Sequence, residues 1–192
     1  VPRFTRAELE SYRDAEVPDL LPGLQGPDLR LLFVGINPGL WTAATQTHFA
    51  HPGNRFYPAL LEAGVVTHPI SPSAGMTDKD RDRLRARGIG ITNIVRRATA
   101  KASELTDEEL RAGGVELAAT VRRTAPKVVA IAGITAYRTA FGQRRAAPGR
   151  QPDPFEGAEL WIVPNPSGLN AHETVHTLAV AYGAAARAAG VV

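Results

Sequence analysis

LRLLFVGIN, residues 29–37, is a near-continuous apolar run that ends on an asparagine. A strand with one wet face alternates polar and apolar residues; this run does not, so both of its faces are expected to be covered. IGITNIV (89–95), KVVAIAG (127–133) and LWIVPN (160–165) share its character, each rich in β-branched residues and bounded by Gly, Pro or Asn. Helical patterns lie between these strands. Thr5 with Glu8 and Thr106 with Glu109 have the spacing of capping boxes, and residues 54–63 and 78–87 read as helices, the second ending at Gly88. The stretch 134–142 and an Ala-rich segment from about Glu173 to Ala189 complete the set. Strands alternating with helices predict a three-layer α/β/α fold around a central, mainly parallel sheet of four to five strands. With 192 residues and no internal repeat or low-complexity linker, residues 1–192 are read as one domain.

Composition narrows the function classes. No apolar run approaches the ~20 residues that span a bilayer, and VPRFTRAELE lacks the charged-then-apolar layout of a secretory signal, so no membrane partner is expected. The absence of Cys excludes disulfides and cysteine-ligated metal sites and suits a reducing cytoplasm. A net charge of +3 is compatible with nucleic acid without demanding it. Arg144, Arg145 and Arg150 cluster in a Pro/Gly-containing loop, and Arg96, Arg97 and Lys101 follow a predicted strand. Each cluster is either a phosphate contact or solvated surface charge.

Parallel sheets place their working sites beyond the carboxyl ends of the strands. Those ends carry Asn37, Asn93, Gly133 and Asn165. The most informative stretch is GINPGLWTAATQTHFAHPGNRF, residues 35–56. Gly35 and Gly39 permit close backbone approach to a ligand, Pro38 fixes the turn, and Asn37 projects an amide that both donates and accepts. An Asn-Pro turn that only caps a strand is the plainer reading. Neither a phosphate loop nor a G-x-G-x-x-G fingerprint is present. Phe49 could stack on a planar ligand, whereas Phe56 reads as core. Trp41 either stacks or shields, and His48 and His51 read as structural in the absence of an evident Ser, Cys or Asp partner.

GINPG, FAHPGNRF, GITNIV and NPSGL occur here in the order found in the mismatch-specific uracil/thymine DNA glycosylases. VPDLLPGLQGPDLRLLFVG also resembles that family's approach to its first strand, and the resemblance spans roughly residues 17–185. The family-1 uracil glycosylases carry Asp where this chain has Asn37, which points away from them. The resemblance implies a uracil-DNA glycosylase-like fold and a monofunctional, cofactor-free and metal-free repair enzyme. Such an enzyme flips a mismatched or damaged pyrimidine from duplex DNA and hydrolyses its N-glycosidic bond, leaving an abasic site for base excision repair. By motif, it implies that Asn37 holds the attacking water, Phe49 stacks on the extruded base, and backbone around Ile36 and Gly39 lines the pocket. Ser167, Gly168, Leu169 and Asn170 would form the wedge that fills the vacated stack and contacts the opposite strand. A monomer in a bacterial-type cytoplasm, associated with the nucleoid, is the corresponding expectation.

The residue chemistry is compatible with that role. An amide is too weak a base to take a proton from water, so Asn37 would position rather than activate it. The barrier must then fall through stabilisation of an oxocarbenium-like sugar and an anionic base. Asn93 falls beside the pocket by the resemblance, where Asn resembles the thymine-glycosylase branch. A strand-end Asn that satisfies backbone is the alternative.

Two other readings compete. HETVH (172–176) matches H-E-x-x-H, which would place His172 and His176 on one helix face as zinc ligands. No His, Asp, Glu or Cys follows His176, so a third ligand would have to come from elsewhere, such as His48 or Glu62. The other rival is a non-catalytic α/β module that holds DNA without cutting it.

Overall fold

The computed structural model describes residues 4–23 and 26–192. The start of VPRFTRAELE, and Leu24 and Gln25 of the approach to the first strand, lie outside the described residues. In chain order the elements are α1 (Arg6–Glu10), β1 (Leu31–Gly35), α2 (Leu40–Thr45), α3 (Phe56–Glu62), α4 (Asp78–Ala86), β2 (Ile89–Asn93), α5 (Asp107–Thr124), β3 (Val128–Ala132), α6 (Ile134–Phe141), β4 (Gly149–Arg150), β5 (Glu159–Val163) and α7 (Val175–Ala189). The strands form one sheet in the order β2-β1-β3-β5-β4, parallel except for the short edge strand β4.

The unbroken apolar run of β1 has the expected cause. Leu31 and Phe33 enter one core, with Phe56, Leu60, Leu178 and Tyr182 from α3 and α7. Leu32 and Val34 point the other way, into a core with Leu110, Leu117 and Val121 of α5 and Tyr137 of α6. All four side chains of β1 are essentially inaccessible to water. Truncating one to Ala would cost about 2–5 kcal/mol, because the flanking layers can close only part of the void.

Both anticipated capping boxes form: Thr5 with Glu8 opens α1, and Thr106 with Glu109 opens α5. Two elements were not anticipated. LWTAAT forms the six-residue helix α2, whose N-cap Gly39 has no capping side chain and which has too few buried residues to show a period. Gly149–Arg150 pairs antiparallel with β5 over two residues, too few to read as a strand.

The last helix starts later than HETVH suggests. Thr174 takes the N-cap and forms a reciprocal box with Thr177, so α7 begins at Val175. His172 and Glu173 therefore precede the helix, and His172 does not share a helix face with His176. His176 Nδ1 instead meets Glu62 Oε1 at 2.7 Å on the neighbouring α3. Among the described residues no group of three or more His, Cys, Asp or Glu side chains is placed to hold a metal ion. Nor, among them, is any helix long and apolar enough to cross a membrane.

Candidate active site

β1 and β2 run parallel and in register from Leu31↔Ile89 to Gly35↔Asn93, so their carboxyl ends open at the same rim. Beside them, β3 and β5 pair from Val128↔Glu159 to Ala132↔Val163. At that rim lies a cavity of about 500 Å³. Ile36, Asn37, Gly39, Phe49, Asn93, Ser167, Gly168 and Leu169 all line it, and Asn170 sits just outside in the same loop. Stretches up to 134 residues apart in sequence are thus brought to one place by strand order.

Asn37 is held by its donor side. Nδ2 donates to the Thr99 hydroxyl at 2.8 Å, the Arg97 carbonyl at 3.0 Å and the Pro38 carbonyl at 3.2 Å. Thr99 passes its own proton to the Lys101 carbonyl at 2.8 Å, so its oxygen must accept. Rotating the amide would turn Oδ1 against these acceptors. The orientation is therefore determined, and Oδ1 is the acceptor that Asn37 offers to a ligand.

Asn93 is fixed differently. Its Nδ2 lies 3.2 Å from His48 Nδ1, and His48 Nε2 lies 3.0 Å from the Pro18 carbonyl. Burial pushes the His48 imidazole below its ordinary pKa of 6.5, partly opposed by the Pro18 bond, so the ring stays neutral. Tyr57, whose phenol burial keeps protonated, donates to the His48 carbonyl at 3.0 Å.

Phe49 adopts a left-handed backbone (φ 57°), rare for an aromatic residue. That turn lays its ring on Phe56, with centroids 4.1 Å apart and planes at 25°. Phe56 is fully buried, while Phe49 is half-buried and lines the cavity. One face of Phe49 is thus backed by core. Gly35 makes this crowding possible: a Cβ there would stand 2.4 Å from Asn93 Oδ1 and 3.2 Å from the Phe49 ring. The room at Gly35 is used by these two side chains. Gly39 has open space around its α-carbon, as a position facing a ligand requires.

The loop expected to form the wedge carries turn bonds of its own. Asn165 Oδ1 accepts from Ser167 N–H at 3.0 Å, and Asn170 N–H donates to the Ser167 carbonyl at 2.9 Å. Gly168 abuts the PG turn of FAHPGNRF so closely that a Cβ would lie 2.5 Å from the Gly53 carbonyl oxygen. Leu169 stands out of this loop with 89% of its surface exposed, the most exposed large apolar side chain among the described residues.

None of the cavity-lining residues is an Asp, Glu, Lys or Arg. The lining offers amides, hydroxyls and two imidazoles, His48 and His51, on a floor that includes Phe, Ile, Ala and Gly. His51 is engaged through Nδ1 with the Gly53 amide at 3.1 Å. Trp41 does not line this cavity; its indole donates to the Ser73 carbonyl and packs edge-on against Phe4.

Several of the basic residues singled out above are neutralised within the protein. Arg97 pairs with Glu109 at 2.5 Å and Asp14 at 2.9 Å, Arg96 with Asp19 at 3.1 Å, and Arg150 with Glu159 at 3.1 Å. Sequence reasoning missed Thr99 and the Asn93 contact of His48. A Thr 62 positions from its partner leaves no local pattern, and a His reads the same whether its neighbour is an amide or a wall.

Converging amides above a backed aromatic ring, at the carboxyl ends of parallel strands, make a cavity whose chemistry suits a flat ring with polar edges. The comparison with protein families gives that class its name. The uracil DNA glycosylase superfamily model matches residues 22–183, and the chain belongs to that superfamily. The fold is shared with a protein from Methanosarcina acetivorans, solved by solution NMR and provisionally named a uracil DNA glycosylase. The two are 16% identical, with a TM-score of 0.59 over 92% of this chain and 96% of the other. Membership of the superfamily supports a DNA glycosylase, a hydrolase that acts on DNA.

Proposed function

We propose that this chain is a monofunctional, mismatch-directed uracil DNA glycosylase, with thymine and damaged cytosines as further candidate substrates. The observation that carries the reading is the captured amide of Asn37. With both N–H groups committed to Thr99, Arg97 and Pro38, only Oδ1 is left to accept from water. A water that donates there turns a lone pair outward, toward the sugar carbon of a nucleotide lodged in the cavity.

In this mechanism the base leaves the duplex, since its glycosidic carbon is inaccessible while stacked. The ring lies on Phe49. The C1′–N bond breaks ahead of water attack, leaving positive charge on the sugar and the electron pair on the departing base. Water then adds to C1′, and its proton ends on the base, directly or through solvent. No carboxylate lines the cavity to speed the attack. Turnover is therefore expected to be slow, with a preference for bases that leave readily. Leu169 and its loop fill the gap in the stack, and Asn170 faces the opposite strand.

The test is alkali cleavage of duplexes carrying U·G, T·G or U·A after incubation with the protein, with and without a chelator. Abasic product from U·G that survives the chelator is the expected result. Binding without product would favour the non-catalytic module, and chelator-sensitive product would overturn the metal-free reading.

A further inference from the structure

The FAHPGNRF motif contains one cation, and it is half-buried and bonded to backbone carbonyls rather than to a carboxylate. Arg55 is the N-cap of α3, and its guanidinium reaches under the wedge loop. Nη2 donates to the carbonyls of Ser167 at 2.6 Å and Asn170 at 2.7 Å, and Nη1 donates to the carbonyl of Glu173. The Arg55 backbone N–H adds a bond to the Pro166 carbonyl at 3.0 Å. Four carbonyls spread over residues 166–173 thus converge on one residue 111 or more positions earlier. All of them are backbone acceptors, so the bonds depend on the path of the loop and not on its side chains.

We infer that Arg55 is a positioning residue that clamps the Pro166–Glu173 loop to the base-stacking platform, so that Leu169 is presented to DNA already in place. Three adjacent residues make the link. Asn54 Oδ1 caps the Phe56 N–H at 2.9 Å, Arg55 carries the loop, and Phe56 supports the ring of Phe49. The insert and the platform therefore share one foundation at the start of α3.

The clamp answers a specific difficulty. Leu169 is 89% exposed, so no burial of its own holds it in position. A loop ordered only on DNA would lose conformational freedom during base flipping, at about 1–2 kcal/mol for each residue fixed. A preformed loop has already met that cost in folding. Arginine suits the task because its planar fork reaches several acceptors at once; a lysine ammonium on the same stem is a single point donor.

The inference rests on the wedge reading of Leu169, and its test separates the two. Amide hydrogen exchange over residues 166–173 is measured in the free protein for wild type, Arg55→Lys and Arg55→Gln. Single-turnover cleavage is then compared between uracil opposite guanine and uracil opposite an abasic site, where no pair need be broken. Faster exchange confined to the loop is expected, with the amides of β1 and β3 unchanged. Cleavage should fall by about tenfold or more on U·G, the scale of one or two lost charged hydrogen bonds, and by much less opposite the abasic site. In a Leu169→Ala background, Arg55→Lys should cost little further. Unchanged loop exchange in both variants overturns the clamp, whatever the cleavage shows. A loosened loop with equal losses on both duplexes overturns its role in insertion. If Leu169→Ala itself fails to distinguish the duplexes, the wedge reading falls, and hydrogen exchange still decides the clamp.

Discussion

Asn93 and His48 determine each other's hydrogen-bonding sense. The Pro18 carbonyl can only accept, so His48 Nε2 carries the proton and Nδ1 is left as the acceptor that takes the Asn93 N–H. Asn93 consequently turns Oδ1 toward Gly35. Protonating His48 would place two donors face to face and charge a buried ring. Since its pKa in the fold lies below the ordinary 6.5, the unfolded chain binds the proton more readily. Stability from this group is present in full above about 6.5 and is lost as pH falls through the folded value. Denaturant unfolding at stepped pH should show that slope, and His48→Phe should remove it. A wild-type slope surviving in His48→Phe would assign it to other groups.

Asn93→Asp probes the same pair from the other side. A carboxylate oxygen opposite the Nδ1 lone pair is repulsive unless His48 takes a proton there. The imidazole pKa should therefore rise, detectable by NMR titration. If the new carboxylate also assists water, cleavage accelerates and gains an acidic pKa in its rate profile. An unchanged rate with a flat profile would remove Asn93 from the mechanism.

Asn37→Ala should nearly abolish cleavage while leaving DNA binding intact, a loss on the order of 10²–10³ in kcat for a missing preorganised polar contact. Thr99→Val deletes only one of three anchors, worth about 1 kcal/mol, and should lower kcat several-fold without moving KM. Wild-type kinetics in Asn37→Ala would end the water-positioning role.

Gly35→Ala tests the crowding between strand and platform. Its new methyl would lie 2.4 Å from Asn93 Oδ1 and 3.2 Å from the Phe49 ring. Either Asn93 rotates off His48 or Phe49 lifts from Phe56, so activity should drop further than stability does. Unimpaired cleavage would show that neither placement matters.

How much of this was legible follows from the range of each signal. The four long strands and the capping boxes at Thr5 and Thr106 are local patterns, and they appear where the residues suggest, with strand ends shifted by up to two positions. The resemblance of four ordered motifs to a glycosylase family named Asn37, Phe49, Asn93 and Leu169, which the sheet then gathers at one rim. What was not legible is who holds these residues. Thr99 under Asn37, His48 behind Asn93 and Arg55 beneath Ser167 are contacts across tens to hundreds of positions between ordinary residue types. HETVH is the converse case: its spacing implies a shared helix face only if the helix includes His172, and the Thr174 cap excludes it.

Leu169→Ala separates insertion from packing. The side chain is 89% exposed, so its truncation should change folding stability by no more than about 0.5 kcal/mol, as for surface positions generally. In DNA the same side chain would occupy the space a base has left and offset an unstacking cost of a few kcal/mol. Rate loss should therefore grow with the strength of the pair being opened, from uracil in single strands, through U·G, to U·A. Thermal unfolding of the variant, set beside single-turnover rates on those three substrates, measures both effects. Equal losses on all three would reduce Leu169 to a general contact, and a marked fall in melting temperature would make it part of the fold.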